Sequence, residues 1–266
     1  MNFEEFLEYI KTHDEYTTQT VTKRPLFPSL KFYAGFVREV WIQASNTGQE
    51  DYLDSIQRGA HRMLRRCELV GATVHLSGLS NLKEVATDQP PVVVANHMST
   101  LETVTLPFLV APAAKVTYIL KASLKSYPIF GKVITGMKAV GLTRKSPKED
   151  LKAAINGGTE SIKNGIGIIV FPQSTRSVQF DAKKFNSLGL RIAKKAETQV
   201  LPICLKTDMW GNGKLVKDFG KVDPSKDVHF HIGKPFQIGN VKQDQQAIVE
   251  FMTSHLAEWF GKQDAK

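Results

Sequence analysis

The stretch Pro91-Val92-Val93-Val94-Ala95-Asn96-His97-Met98-Ser99-Thr100-Leu101-Glu102 sets the architecture. Its first five residues are a short, continuous apolar run, the pattern of a strand buried on both faces. A helix is expected to follow over about 99–110, with Ser99 as its cap. Outward from this unit the pattern repeats. Ala72 to Leu76 alternates. Strands are expected over 115–120, 139–143, 166–171, 199–205 and 228–232, and helical segments over 122–137, 147–163, 187–197 and 242–260. Ser146-Pro147-Lys148-Glu149 opens one of these helices, with Ser as cap, Pro at the first helical position and Glu149 placed to complete a capping box. Strands alternating with helices predict an α/β domain with a largely parallel central sheet flanked by helices.

In such a sheet, functional groups gather just beyond the carboxyl ends of the strands. His97 stands directly after the first buried strand, with Glu102 five residues on. Positions i and i+5 lie about 140° apart on a regular helix, so one of the two must stand outside it. With Ser99 as cap, His97 falls in the preceding turn and Glu102 in the first turn. The carboxylate can then reach Nδ1, leaving Nε2 to take a proton. Ser99-x-x-Glu102 is equally a capping box, in which Glu102 satisfies backbone N–H groups. Two later strand ends deliver Arg144 (Gly141-Leu142-Thr143-Arg144) and Arg176 (Phe171-Pro172-Gln173-Ser174-Thr175-Arg176-Ser177) to the same edge. Guanidinium forks match the geometry of a phosphate.

These blocks, taken in order, resemble the glycerophospholipid acyltransferase family, closest to the bacterial 1-acylglycerol-3-phosphate acyltransferases. Asn96-His97-x4-Glu102 corresponds to N-H-x4-D, Gly136 to Arg144 to the second block, Phe171 to Ser177 to F-P-E-G-T-R-S, and Val200-Leu201-Pro202-Ile203 to the late V-P-[VI] strand. Lys121, in ILKASLKSYPIFG, fits as well. The resemblance covers roughly residues 60–236. It implies that His97 is a general base, oriented by Glu102. The acceptor hydroxyl of a lysophospholipid, lysophosphatidic acid first, attacks an acyl thioester of coenzyme A or of acyl carrier protein. Lys121, Arg144, Gln173, Ser174, Thr175 and Arg176 would bind substrate, with the two arginines on the acceptor phosphate. No cofactor and no metal are implied. Ser99, Ser174 and Ser177 are hydrogen-bonding groups in this scheme, because the acceptor oxygen is itself the nucleophile. Glu102 replaces the family Asp, Gln173 the family Glu and Ser174 the family Gly. Ser174 costs backbone freedom if the turn needs φ > 0. These departures leave open an acceptor other than lysophosphatidic acid, or a catalytically silent lipid-binding relative.

The 266 residues are 42% hydrophobic and 23% charged, which excludes disordered and fibrous classes. A net charge of +9 favours an anionic partner. Nucleic acid is not expected: zinc spacing, a helix-turn-helix signal and an RNA-binding aromatic motif are all missing. Cys67 and Cys204 stand far apart with no C-x-x-C pair, as reduced packing residues of a cytosolic protein. The start, MNFEEFLEYI, is acidic and unlike a signal peptide, and Asn2 excludes myristoylation. Val104 to Ala114, broken by two prolines, is too short to span a bilayer. Residues 1–70 form an N-terminal helical segment ahead of an α/β domain over 71–266. Leu30, Tyr33, Phe36, Val37, Val40 and Trp41 give one of its helices a wide aromatic face. That face either enters a bilayer interface as a membrane-associating element or packs on the domain. The first reading makes the protein peripheral at the cytoplasmic membrane face, with the phospholipid surface as partner. His229 and His231 share a strand face, but no carboxylate or third ligand accompanies them at motif spacing, so no metal site is expected. The Gly/Lys-rich 211–227 reads as an exposed loop, and Gly211-Asn212-Gly213-Lys214 lacks the context of a phosphate-binding loop.

Overall fold

The fold was analysed in a computed structural model that describes residues 1–19, 23–213 and 218–264. The elements run α1 Phe3–Ile10, β1 Tyr16–Thr17, α2 Pro28–Asn46, α3 Tyr52–Leu69, β2 Val74–Ser77, β3 Val92–Ala95, α4 Leu101–Leu109 and β4 Val116–Lys121. There follow α5 Phe130–Gly136, β5 Val140–Leu142, α6 Pro147–Lys163, β6 Gly167–Val170, α7 Leu188–Ala196, β7 Val200–Lys206, β8 Val228–Ile232 and α8 Val241–Asp264. One eight-stranded sheet has the order β1-β2-β8-β7-β3-β6-β4-β5. From β7 to β5 all neighbours are parallel; β8 runs antiparallel to β7 and β1 antiparallel to β2.

The apolar run predicted as a two-faced strand is β3, at the centre of the sheet, and Val92 to Ala95 are fully buried. The chain leaves β3 for β4 on one side; from β6 it crosses back to β7 on the other. The strand order therefore reverses at β3, and a crevice opens beyond its carboxyl end. Helix α7 lies close over this centre because Gly189 has no side chain; a Cβ there would stand 2.6 Å from Val94 Cγ2. Ser146 caps α6 as expected, accepting from the Glu149 N–H. The full capping box is at α1 instead, between Asn2 and Glu5. The expected helical segment over 122–137 is in two pieces: a 3-10 turn covers Ala122–Ser126, and α5 starts at Phe130. Pro128 cannot donate to a helix interior, and Ile129 takes φ +62.

The apolar residues of the first seventy positions join the same core as the sheet. The aromatic face of α2 divides. Phe32 and Phe36 are buried against Trp210 at ring-centroid distances of 4.9 and 5.1 Å. Leu26, Phe27, Leu30, Val37 and Trp41 remain exposed, at 86% for Leu26 and 56% for Trp41. The 211–227 segment departs from the expected exposed loop. Val222 is fully buried and bridges to Trp210. The Tyr33 hydroxyl donates to the Gly220 carbonyl at 2.5 Å, which fastens the loop to α2. Residues 214–217 of that loop, including Lys214, lie outside the described residues.

His61 of α3 is buried among Phe3, Phe6 and Phe108, and its Nε2 has no hydrogen-bond partner among the described residues. Burial first, then Arg65 and Arg62, push its imidazole down to about 4. The folded state keeps His61 neutral where the unfolded chain protonates near 6.5. Between those two values the unfolded chain binds more protons, so this contribution is complete above pH 6.5 and is lost as pH falls towards 4. Urea midpoints at pH 7 and pH 5 are expected to differ less for His61→Leu than for the parent; an equal drop in both would contradict this assignment.

Candidate active site

The candidate edge is built by three strand ends. Asn96 closes the first: its side chain donates to the Leu205 carbonyl and accepts from the Leu205 N–H, both at 2.8 Å. That pair continues the β3–β7 ladder by one residue and frees His97 to turn outward. The His97 backbone is then held from the β6 loop on both sides. Its N–H donates to Gln173 Oε1 at 2.7 Å, and its carbonyl accepts from the Ser177 N–H at 2.9 Å. Phe171 lies flat on the imidazole, with centroids 4.1 Å apart and planes within 11°. Tyr118 stacks behind Phe171.

His97 Nδ1 meets Glu102 Oε1 at 2.9 Å, and the His97 side chain keeps 16% of its exposure while Glu102 has none. The two readings of Glu102 are one arrangement. Its Oε1 also accepts from the Met98 and Ser99 N–H groups at 2.6 and 2.8 Å. Its Oε2 accepts from Ser99 Oγ at 3.0 Å and from Thr207 Oγ1 at 2.6 Å. Burial alone would raise the Glu102 carboxyl; the bonds from His97, then Thr207 and the backbone, outweigh it and hold the group below the ordinary carboxylate range. An ionised carboxylate fixes Nδ1 as the protonated nitrogen. Among the described residues Nε2 has no hydrogen-bond partner. The helix begins one residue later than expected, with Thr100 as the cap position, while Ser99 Oγ accepts from the Leu101 N–H at 3.0 Å.

The remaining predicted residues reach the same edge with different engagements. Ser174 does adopt φ +62, the conformation that favours glycine, and Arg144 takes φ +58. Arg144 is exposed and its Nη2 reaches the Ser174 carbonyl at 3.4 Å. Arg176 donates to Thr100 Oγ1 and pairs with Asp218 at 2.6 Å. Gln173 is buried and serves the His97 backbone. Lys121, exposed, ends β4 opposite Leu142 of β5, and Thr175 is exposed on the β6 loop. Sequence reasoning missed Asn96, Phe171, Thr207 and Asp218. Asn96, directly before His97, and Phe171, directly after β6, sit inside the recognised blocks, and that position is the signal that was available. Thr207 and Asp218 come from distant segments.

The expectation that no carboxylate or third ligand joins the strand histidines needs correction. Asp227 stands two residues before His229, and His75 arrives from β2, so that the ligating atoms of His75, Asp227 and His229 lie within 4.8 Å of one another. His231 is directed elsewhere, to Ser77 and His255.

His97, held by the buried Glu102, thus stands at the switch point of the sheet, on the edge that also receives Arg144 and Arg176. The chain belongs to the acyltransferase family, whose family model matches residues 73–206, about half of the chain. It is 33% identical over 135 residues to the 1-acyl-sn-glycerol-3-phosphate acyltransferase of Pseudomonas aeruginosa, covering 51% of this chain and 50% of the relative. It is 30% identical over 143 residues to the chloroplastic 1-acyl-sn-glycerol-3-phosphate acyltransferase LPAT1 of Arabidopsis thaliana, covering 54% of this chain and 37% of the relative. The matched region thus spans about half or less of these curated relatives. The crystal structure of the 1-acyl-sn-glycerophosphate acyltransferase PlsC from Thermotoga maritima has a TM-score of 0.66 at 23% identity, covering 87% of this chain and 94% of that one. That likeness establishes the shared α/β fold.

Proposed function

We propose that the protein transfers a fatty acyl group from a thioester of coenzyme A or acyl carrier protein to the free hydroxyl of lysophosphatidic acid. The observation that carries this reading is the 2.9 Å contact from His97 Nδ1 to the buried Glu102, with Nε2 left to the crevice. Nε2 takes the proton of the acceptor hydroxyl while the oxygen attacks the thioester carbonyl. The C–O bond forms, the C–S bond breaks, and the departing thiolate recovers the proton from His97. Charge on the imidazolium is balanced by Glu102. Holding both substrates at one edge makes the encounter an oriented one.

Arg144 and Arg176, with Lys121, bind the acceptor phosphate; Ser174 and Thr175 line its approach. Arg176 exchanges its Asp218 contact for the phosphate when substrate arrives. The test is a panel of lyso-acceptors, with and without phosphate, given one radiolabelled thioester donor. Arg144→Ala and Arg176→Ala are each expected to raise KM for lysophosphatidic acid about 10- to 100-fold, the worth of a charge-assisted bond. Turnover confined to phosphate-free acceptors would overturn the role of both arginines.

The exposed stripe Leu30, Val37 and Trp41, one face of α2 preceded by Leu26 and Phe27 and flanked by Lys31 and Arg38, is suited to a bilayer interface at the cytoplasmic membrane face. No described helix is long and apolar enough to cross a membrane. Co-sedimentation with anionic phosphatidylglycerol vesicles is expected for the parent and reduced at least tenfold for Leu30→Ser/Trp41→Ser; equal binding by both proteins would remove this stripe from the account.

A further inference from the structure

We propose that the β2–β8 strand pair carries a divalent-metal site formed by His75, Asp227 and His229, separate from the His97 centre. Strands β2 and β8 are parallel and in register, with His75 opposite His229 and Ser77 opposite His231. The two-residue repeat of a strand then sets Asp227, His229 and His231 along one face. Of the seven histidines in the chain, His75, His229 and His231 of the two strands and His255 of α8 gather here. The His75 and His229 rings stack at 4.5 Å with planes within 12°. Trp259 of α8 stacks on His229 at 5.0 Å, and the Thr17 hydroxyl lies 3.2 Å from His75 Nδ1 and orients that ring.

The ligating atoms of the three residues lie within 4.8 Å of one another, and all three side chains are half-buried. A tetrahedral ion bound at about 2.0–2.1 Å sets its ligand atoms about 3.3 Å apart. Closing from the present spacing is within reach of small side-chain rotations. Two imidazoles and one carboxylate suit an ion of the zinc class and not calcium or magnesium, which prefer all-oxygen shells. The fourth position takes water. Each of the three residues already interacts with neighbours, so metal uptake exchanges those contacts. It also requires neutral imidazoles and weakens as pH falls. The ion would tie β2 to β8. Because Lys206 of β7 faces His229 in the ladder and Thr207 follows it to hold Glu102, this tie braces the catalytic edge without entering it.

The probe is zinc, titrated into the metal-stripped full-length chain against a chromophoric chelator, with thermal melts alongside. One zinc per chain is expected, with a Tm rise of roughly 5–10 °C at free zinc about a hundred times Kd. Asp227→Asn and His75→Asn should each weaken binding at least tenfold, while His231→Asn leaves it unchanged. If a variant does not fold, cobalt added to the parent protein still decides: visible bands of tetrahedral nitrogen–oxygen coordination support the site, and their absence contradicts it. No stoichiometric zinc in the parent, or affinity indifferent to Asp227→Asn and His75→Asn, overturns the proposal.

Discussion

His97→Ala is expected to lower kcat/KM for acyl transfer to lysophosphatidic acid by about 10²- to 10⁴-fold, the usual worth of a positioned general base. The loss should appear in kcat, because proton removal matters as the oxygen attacks and contributes little to substrate binding. His97 is held through its backbone by Gln173 and Ser177, and these bonds survive the change. The variant should therefore fold. Steady-state rates with a purified thioester donor check this, together with a thermal melt; undiminished turnover in a folded variant would contradict the role of the imidazole.

Two substitutions at Glu102 separate its charge from its place in the fold. The carboxylate accepts from His97, two backbone N–H groups and the hydroxyls of Ser99 and Thr207. Glu102→Ala strands these donors in a fully buried site, and about 3–5 kcal/mol of stability is expected to be lost. That corresponds to a fall in Tm of about 5–9 °C for a domain of this size. Glu102→Gln keeps the volume and much of the bonding but removes the charge that balances the imidazolium. Activity is expected to fall about 10- to 100-fold, with a far smaller change in Tm. The folded carboxyl is held below its unfolded value. Its contribution to stability is therefore present above the unfolded pKa and is lost as pH falls through the folded one. Glu102→Gln should accordingly close its stability gap to the parent on acidification. A variant as active as the parent would reduce Glu102 to a helix-capping residue.

Much of this site was legible because strand ends are legible. A continuous Val run, a cap signal and a Pro at the first turn located β3, β6, β8 and α6 closely, and the parallel order then placed His97, Arg144 and Arg176 on one edge. What escaped was decided at long range. The two-residue β1 is too short to leave a pattern; it exists because Tyr16 and Thr17 find β2 as a partner. Asp218 lies in a Gly/Lys-rich loop whose composition indicates exposure, yet the loop folds back onto α2 and its carboxylate pairs with Arg176. Thr207 lies two residues beyond the strand expected over 199–205, and only the β3–β7 pairing sets its hydroxyl on Glu102. The α2 face splits in a way its periodicity does not reveal: Phe36 packs inward beside Phe32, while Leu30 and Trp41 stay exposed.

The claim on which the account turns is the position of one proton. Nitrogen-15 NMR of the protein with labelled histidine, with the imidazole in its neutral form, measures it directly. The account predicts that His97 carries its hydrogen on Nδ1, towards Glu102, with Nε2 at the shift of an unprotonated nitrogen. A hydrogen on Nε2 and a bare Nδ1 would contradict it.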